Sequence, residues 1–180
     1  MDFFVPQPYH VMGTLPTYVE AILFQFEGVF FETTSPREIK DLQLYWILQS
    51  LIHQGVFLGI VSLLPKEVVV SHLTKLGILD FFSYAETSLV LAQEDILSQP
   101  SGELHLLTYG FLYALKINPF TYGHTIFVGS EGGPLTRLQE YLSFEACMVL
   151  VEQTEPVGAL TEFVFQYLST STEDLPQSLQ

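Results

Sequence analysis

The pattern of apolar and polar residues predicts strands that alternate with helices. Mainly apolar runs of strand length occupy residues 21–24, 57–62, 125–129 and 146–151, and a weaker run at 81–87 predicts one more strand. Segments with helical periodicity lie between these runs. Alternation of this kind is typical of a parallel sheet with helices on both faces and right-handed crossovers. The expected fold class is α/β, with a doubly wound, parallel, five-stranded, Rossmann-like sheet.

Helix termini are marked by capping residues. Ser35 at the N-cap position and Pro36 at the first helical position predict the start of the first helix. Gly55 predicts its end, because glycine tolerates the left-handed conformation that closes many helices. The remaining helices are expected at residues 65–76, 103–116, 134–142 and 157–168.

Three regions are predicted along the chain. Residues 1–18 carry several prolines among aromatic side chains, and proline opposes both helices and central strands. We interpret them as an extended arm that lies either on the domain or on a partner. Residues 19–168 form the single expected domain. Residues 169–180 are polar and acidic without periodicity, and they are expected to form a flexible tail.

Polar side chains occur where the predicted strands end. Gln25 and Glu27 close the first strand, Ser62 closes the second, and Ser130 closes the fourth. In open parallel sheets the binding crevice lies beyond the carboxyl ends of the strands. A functional site is therefore expected at this edge of the sheet.

The same segments resemble the signatures of the haloacid dehalogenase-like (HAD) phosphatase superfamily. Gln25 to Val29 is similar to its Asp-x-Asp-Gly-(Val/Thr) signature, and Gly59 to Ser62 is similar to its strand ending in Ser or Thr. Thr125 to Glu131 is similar to its Val-Gly-Asp-Ser signature, and Leu76 to Phe82 to its Leu-Gly-Leu-x-x-x-Phe passage. The resemblance implies a HAD-like domain over residues 19–168. The short span between Gln25 and Ser62 implies a minimal cap or none.

The chemistry that the resemblance implies is altered at most positions. A carboxylate nucleophile is expected where Gln25 stands, and a neutral amide cannot attack phosphorus. Glu27 keeps the carboxyl group of the general acid and base. Gln99 replaces a phosphate-neutralising lysine, and Ser130 replaces an aspartate that binds Mg²⁺, so Mg²⁺ binding is expected to be lost. Only Ser62, a phosphate-binding hydroxyl, is unchanged. The family's phosphatase activity is therefore expected to be lost.

Three functions are compatible with these residues. The preferred one is a catalytically inactive pseudophosphatase that acts as a structural, assembly or regulatory protein-binding module. The second is a non-catalytic sensor of a phosphate or nucleotide ligand, held by Ser62 and by the helix N-terminus after Gly132 and Gly133. The third is a divergent phosphoester hydrolase that uses Glu27.

Composition favours a protein partner. The net charge is −14 with only six Lys and Arg residues, so no basic surface is expected to bind nucleic acid. Hydrophobic residues make up 48% of the chain and charged residues 14%, which leaves few charges to cover the surface. Large exposed apolar patches mark contact sites, so a protein partner or self-association is expected. The candidate partner-binding residues are Phe3, Phe4, Tyr9, Tyr109 and Tyr113.

The single cysteine and the apolar stretches bear on location. Cys147 has no second cysteine to pair with, so an intracellular, cytoplasmic location is expected, with a buried and inert thiol. No signal peptide is expected. Residues 45–65 lack charge, but Gln49, His53 and Gly55 interrupt them, so no membrane span is expected. The five histidines show no pair at metal-ligand spacing.

Overall fold

The fold is organised around a buried strand that begins at Ala21. The computed structural model describes residues 8–30, 38–84, 86–97, 110–111, 113–114, 124–130, 135, 147–151 and 156–168. Its strands are β1 Tyr9–Met12, β2 Ala21–Gln25, β3 Phe57–Val61, β4 Ser83–Tyr84, β5 Thr87–Ser88, β6 Val90–Leu91, β7 Thr125–Ser130 and β8 Cys147–Val151.

Helices lie between the strands. The helix start predicted at Ser35 and Pro36, and most of the helices predicted at residues 103–116 and 134–142, lie outside the described residues. Gly55 and Gly77 follow the first two helices with φ angles of +83° and +73°, and glycine adopts this left-handed conformation without a steric penalty. Gly110, Phe111, Tyr113, Ala114 and Leu135 are also helical. The helices are α1 Glu38–His53, α2 Lys66–Lys75, α3 Gln93–Leu97 and α4 Pro156–Phe163, with a 3-10 turn at Leu79–Phe81 and a π-helical turn at Val164–Leu168.

The central sheet has six strands in the order β1-β8-β7-β2-β3-β6. Strand β2 pairs in parallel with both β3 and β7, and β8 and β6 extend the parallel sheet on either side. Strand β1 pairs antiparallel with β8, so one edge strand comes from the predicted arm. The edge position suits a proline-rich segment, because proline is tolerated there and not in central strands. The predicted doubly wound α/β fold is confirmed, with one strand more than expected.

The prediction of a sheet strand at residues 81–87 is wrong. Strands β4 and β5 form a separate two-stranded antiparallel sheet, in which Ser83 pairs with Ser88. The third parallel strand is β6, whose Val90 and Leu91 pair with Ile60 and Val61. A two-residue strand is too short to show periodicity in sequence, and its position depends on pairing with β3.

Helices pack on both faces of the sheet. Ile22 and Phe24 of β2 belong to a buried cluster that includes residues of α1, α2 and α4. Leu23 faces a second cluster, which includes Phe111 and Leu135. Adjacent β2 residues therefore contribute to opposite layers, as a doubly wound sheet requires. None of the helices in the described residues combines the length and hydropathy needed to cross a bilayer.

Cys147 lies at the start of β8 and is buried. Burial raises the pKa of its thiol from 9.0 to about 11, because the low-dielectric interior disfavours the thiolate. The thiolate is the nucleophilic form of cysteine, so the thiol is unreactive near neutral pH. The expectation of a buried thiol is confirmed.

Candidate functional site

Strand β2 carries its polar residues to the edge of the sheet. The Phe26 amide donates to the Val61 carbonyl at 3.0 Å, which continues the pairing with β3 past Gln25. Gly28 then turns the chain with a φ angle of +83°. The Phe30 amide donates back to the Phe26 carbonyl at 3.0 Å. These contacts hold Glu27 beside the end of β3.

Glu27 is bonded to the segment that follows β3. The Ser62 hydroxyl donates a hydrogen bond to Glu27 Oε1. The Leu63 amide donates to the same oxygen at 3.2 Å, and the Leu64 amide donates to Ser62 Oγ at 3.0 Å. Ser62 is fully buried, and its own amide donates to the Leu91 carbonyl at 2.9 Å. One carboxylate oxygen therefore accepts two hydrogen bonds from the segment that follows β3.

Gln25 is buried at the seam between β2 and β7. Its side chain is 6% exposed, and its Oε1 atom has no hydrogen-bond partner among the described residues. A β-carbon at Gly129 would lie 2.8 Å from Gln25 Oε1 and 2.7 Å from Leu135 Cδ1, so the amide and the leucine fill the space above this glycine. An ionised carboxylate in the same surroundings would carry a far larger desolvation cost than the amide.

Ser130 closes β7 and packs against the turn after β2. Its side chain is 7% exposed. A β-carbon at Gly28 would lie 2.7 Å from Ser130 Cβ and 2.8 Å from Ser130 Oγ. Only glycine permits both the positive φ angle and this close approach. The ends of β2 and β7 are therefore in direct contact.

The described residues at this edge do not fit Mg²⁺, the ion that the family resemblance implies. Magnesium prefers carboxylate oxygens in octahedral geometry. Gln25 supplies an amide and Ser130 a hydroxyl, while the Glu27 carboxylate accepts bonds from Ser62 and Leu63. Within the part of the chain that the structure describes, no three His, Cys, Asp or Glu side chains are grouped to hold a metal.

Acidic side chains of α3 contact the start of α2. The Lys66 amide donates to Glu94 Oε2 at 2.9 Å. The Lys66 ammonium pairs with Asp95 Oδ2 at 3.0 Å, and that oxygen also accepts the Ala92 amide at 3.0 Å. Lys66, the first cationic residue after Ser62 in the sequence, is therefore paired with a carboxylate of α3.

The structure brings together four of the predicted site residues. Gln25, Glu27, Ser62 and Ser130 lie at the carboxyl edge of β2, β3 and β7. Sequence reasoning missed the Leu63 amide; its signal is the loop between Ser62 and the helix start at Pro65. The other predicted site and partner residues lie outside the described residues: Gln99, Gly132, Gly133, Phe3, Phe4 and Tyr109.

The structure corrects the interpretation of Tyr9 as a partner-binding residue. It is 6% exposed, its ring contacts Phe163 and Tyr167 edge-on, and its hydroxyl donates to Gln166 Oε1. Burial, and then the nearby Tyr167, raise its pKa from 10.0 to about 12. Tyr9 is therefore a core residue, because β1 places it under the last helix. Tyr113 is half-buried against the second cluster, and its role in partner binding stays a prediction.

The sheet order and the strand-end site define a Rossmann-like α/β domain. The sequence matches no protein-family model and no curated protein. Among solved structures, a chain described as a HAD family hydrolase from Streptomyces avermitilis is similar with a TM-score of 0.42 and 18% identity, and the match covers 69% of each chain. The HAD resemblance rests on the sequence segments Gln25 to Val29, Gly59 to Ser62, Leu76 to Phe82 and Thr125 to Glu131.

Proposed function

We propose that this chain is a HAD-like pseudophosphatase, a domain without phosphatase activity that acts as a structural, assembly or regulatory protein-binding module. The observation that carries the proposal is the buried amide of Gln25 at the end of β2. A phosphoryl group can be transferred to a carboxylate oxygen, but an amide is not a competent nucleophile. The first step of the family reaction therefore has no acceptor at this position.

The neighbouring residues support the same proposal. A general acid and base at Glu27 would act on a phosphoenzyme that Gln25 cannot form. The contact of Gly28 with Ser130 fills the gap between β2 and β7 with protein atoms. Among the described residues at the ends of β2, β3 and β7, Glu27 has the one carboxylate, and this carboxylate accepts hydrogen bonds from Ser62 and Leu63 after β3. The site is consequently a packed part of the fold.

The surface supports a role in protein contacts. Only 14% of all residues are charged, although the chain carries a net charge of −14. Large apolar side chains therefore remain exposed, and such surface is typical of protein contact sites when it is contiguous. The exposed large apolar residues in the described part are Tyr18, Leu42, Ile52, Val68, Leu97 and Tyr167.

A turnover assay tests the loss of activity. We expect the purified chain with Mg²⁺ to hydrolyse p-nitrophenyl phosphate no faster than the buffer or the EDTA-treated chain, because Gln25 cannot be phosphorylated. The matched control is Glu27→Gln, which removes the remaining carboxyl group and is expected to give the same background rate. Mg²⁺-dependent turnover that Glu27→Gln abolishes would contradict the proposal and establish the divergent hydrolase that uses Glu27.

A further inference from the structure

The hydrogen bonds that Glu27 accepts are of the kind that bind an oxyanion. The Ser62 hydroxyl and the Leu63 amide both donate to Oε1, and the Leu64 amide donates to Ser62 Oγ. Hydrogen bonds to an ionised acceptor are shorter and stronger than those between neutral groups. Successive backbone amides around a turn make a concave surface that binds anions. The segment from Ser62 to Leu64 is thus a built anion-binding position, with a carboxylate of the same chain as its ligand.

Backbone hydrogen bonds before and after Glu27 fix the position of its carboxylate. Before Glu27, the Phe26 amide is bonded to Val61. After it, the Phe30 amide returns to Phe26, and Phe30 O lies 2.8 Å from His72 Nε2. The Phe30 ring is buried against Phe24 and Phe82. Because the loop is fixed by these contacts, the carboxylate loses little further freedom when it binds Ser62.

Two effects oppose the binding of a free anion to Ser62 and Leu63. A ligand tethered on a short segment has an effective concentration of about millimolar or more, and a free ion has to exceed it to compete. The net charge of −14 also repels anions. Phosphate at lower concentrations is therefore excluded as long as the Glu27 carboxylate is present.

We propose that Glu27 is a built-in anionic ligand of the Ser62 hydroxyl and the Leu63 amide, and that it closes this oxyanion-binding position to free phosphate. The inference rests on the proposed function, because it describes how a site without catalysis is kept closed. It assigns Glu27 a role that differs from proton transfer. It also gives the Ser62 hydroxyl a ligand that belongs to the protein itself.

Thermal unfolding with inorganic phosphate as the probe tests this inference. Potassium phosphate is compared with potassium chloride at equal ionic strength, for the full chain and for Glu27→Ala. Removal of the carboxylate opens the two donors, so the Tm of Glu27→Ala is expected to rise by about 3 °C at a phosphate concentration ten times its Kd. The unchanged chain is expected to show no phosphate-dependent rise.

The controls separate this site from others. The double variant Glu27→Ala with Ser62→Ala lacks the hydroxyl and is expected to lose the rise. If Glu27→Ala does not fold, the same measurement is made on Glu27→Ser, because the serine side chain is two bonds shorter than that of glutamate. An equal rise in the unchanged chain, or no rise in a folded Glu27 variant, would overturn the inference. Both results concern phosphate binding alone. Phosphatase activity is measured separately, by the turnover assay.

Discussion

Replacement of Gly28 by alanine is expected to give one of the largest losses of stability in this chain. A residue with a β-carbon at a φ angle of +83° is strained by about 1–2 kcal/mol. The new β-carbon would also lie 2.7 Å from Ser130 Cβ, and overpacking of this kind costs a further 1–3 kcal/mol, roughly. The free energy of unfolding, measured by urea denaturation with an unchanged m-value, reports the sum.

Gly55 is the matched control for Gly28. It has the same φ angle of +83°, but a β-carbon there would meet no atom within 4 Å. Gly55→Ala should therefore show only the backbone strain. The Ser130→Gly substitution, combined with Gly28→Ala, should recover the packing part of the loss, because it removes the overlapping atoms. Equal losses for Gly28→Ala and Gly55→Ala would contradict the contact between the ends of β2 and β7.

The second large effect is expected at Phe24, in the middle of β2. Its side chain is fully buried, and its ring lies 5.1 Å from Phe30 and 6.3 Å from Phe82 between centroids. Phe24→Ala removes these contacts and leaves a cavity, so a loss of about 3–5 kcal/mol in the free energy of unfolding is expected. The same substitution also frees Phe30, which anchors the loop that carries Glu27.

Two other substitutions serve as controls for the loss of stability expected from Phe24→Ala. Phe24→Leu keeps most of the buried volume and should cost about 1.5 kcal/mol or less. Leu97→Ala removes a large apolar side chain that is 55% exposed, and it should change stability by no more than about 0.5 kcal/mol. A loss at Phe24→Ala as small as that at Leu97→Ala would show that β2 is not the centre of the core.

The central strands were predictable because their apolar runs record burial on both faces. Residues 21–24, 57–62 and 125–129 have few polar interruptions, and each overlaps a strand of the structure. The polar residues that end these strands could be placed at one edge by topology alone, since parallel strands share their carboxyl ends. That reasoning located Gln25 and Ser62 without any knowledge of loop conformation.

Two strands were not predictable from local pattern. Strand β1 lies among prolines, and its pairing with β8 depends on contacts that span most of the chain. Strand β6 has two residues, and its pairing with β3 decides its position. In both segments tertiary pairing overrides a weak local preference.

The details of the site also lay beyond sequence reasoning. The bond from Ser62 to Glu27 depends on the loop that Gly28 turns and that Phe30 anchors. Strand spacing predicts that Gln25 and Glu27 share a face, but the structure shows Gln25 buried beside Gly129 and Glu27 bonded to the segment that follows β3. These differences arise from backbone conformation after the strand end, where strand periodicity no longer applies.

The mass of the complex isolated gently from its native cell tests the central proposal most directly. The protein-binding module predicts a species heavier than one chain, in which a partner protein or a second copy is present at fixed stoichiometry. The bound chains are identified in the same preparation, and the stoichiometry is compared between independent isolations. A lone monomer of 180 residues would contradict the module.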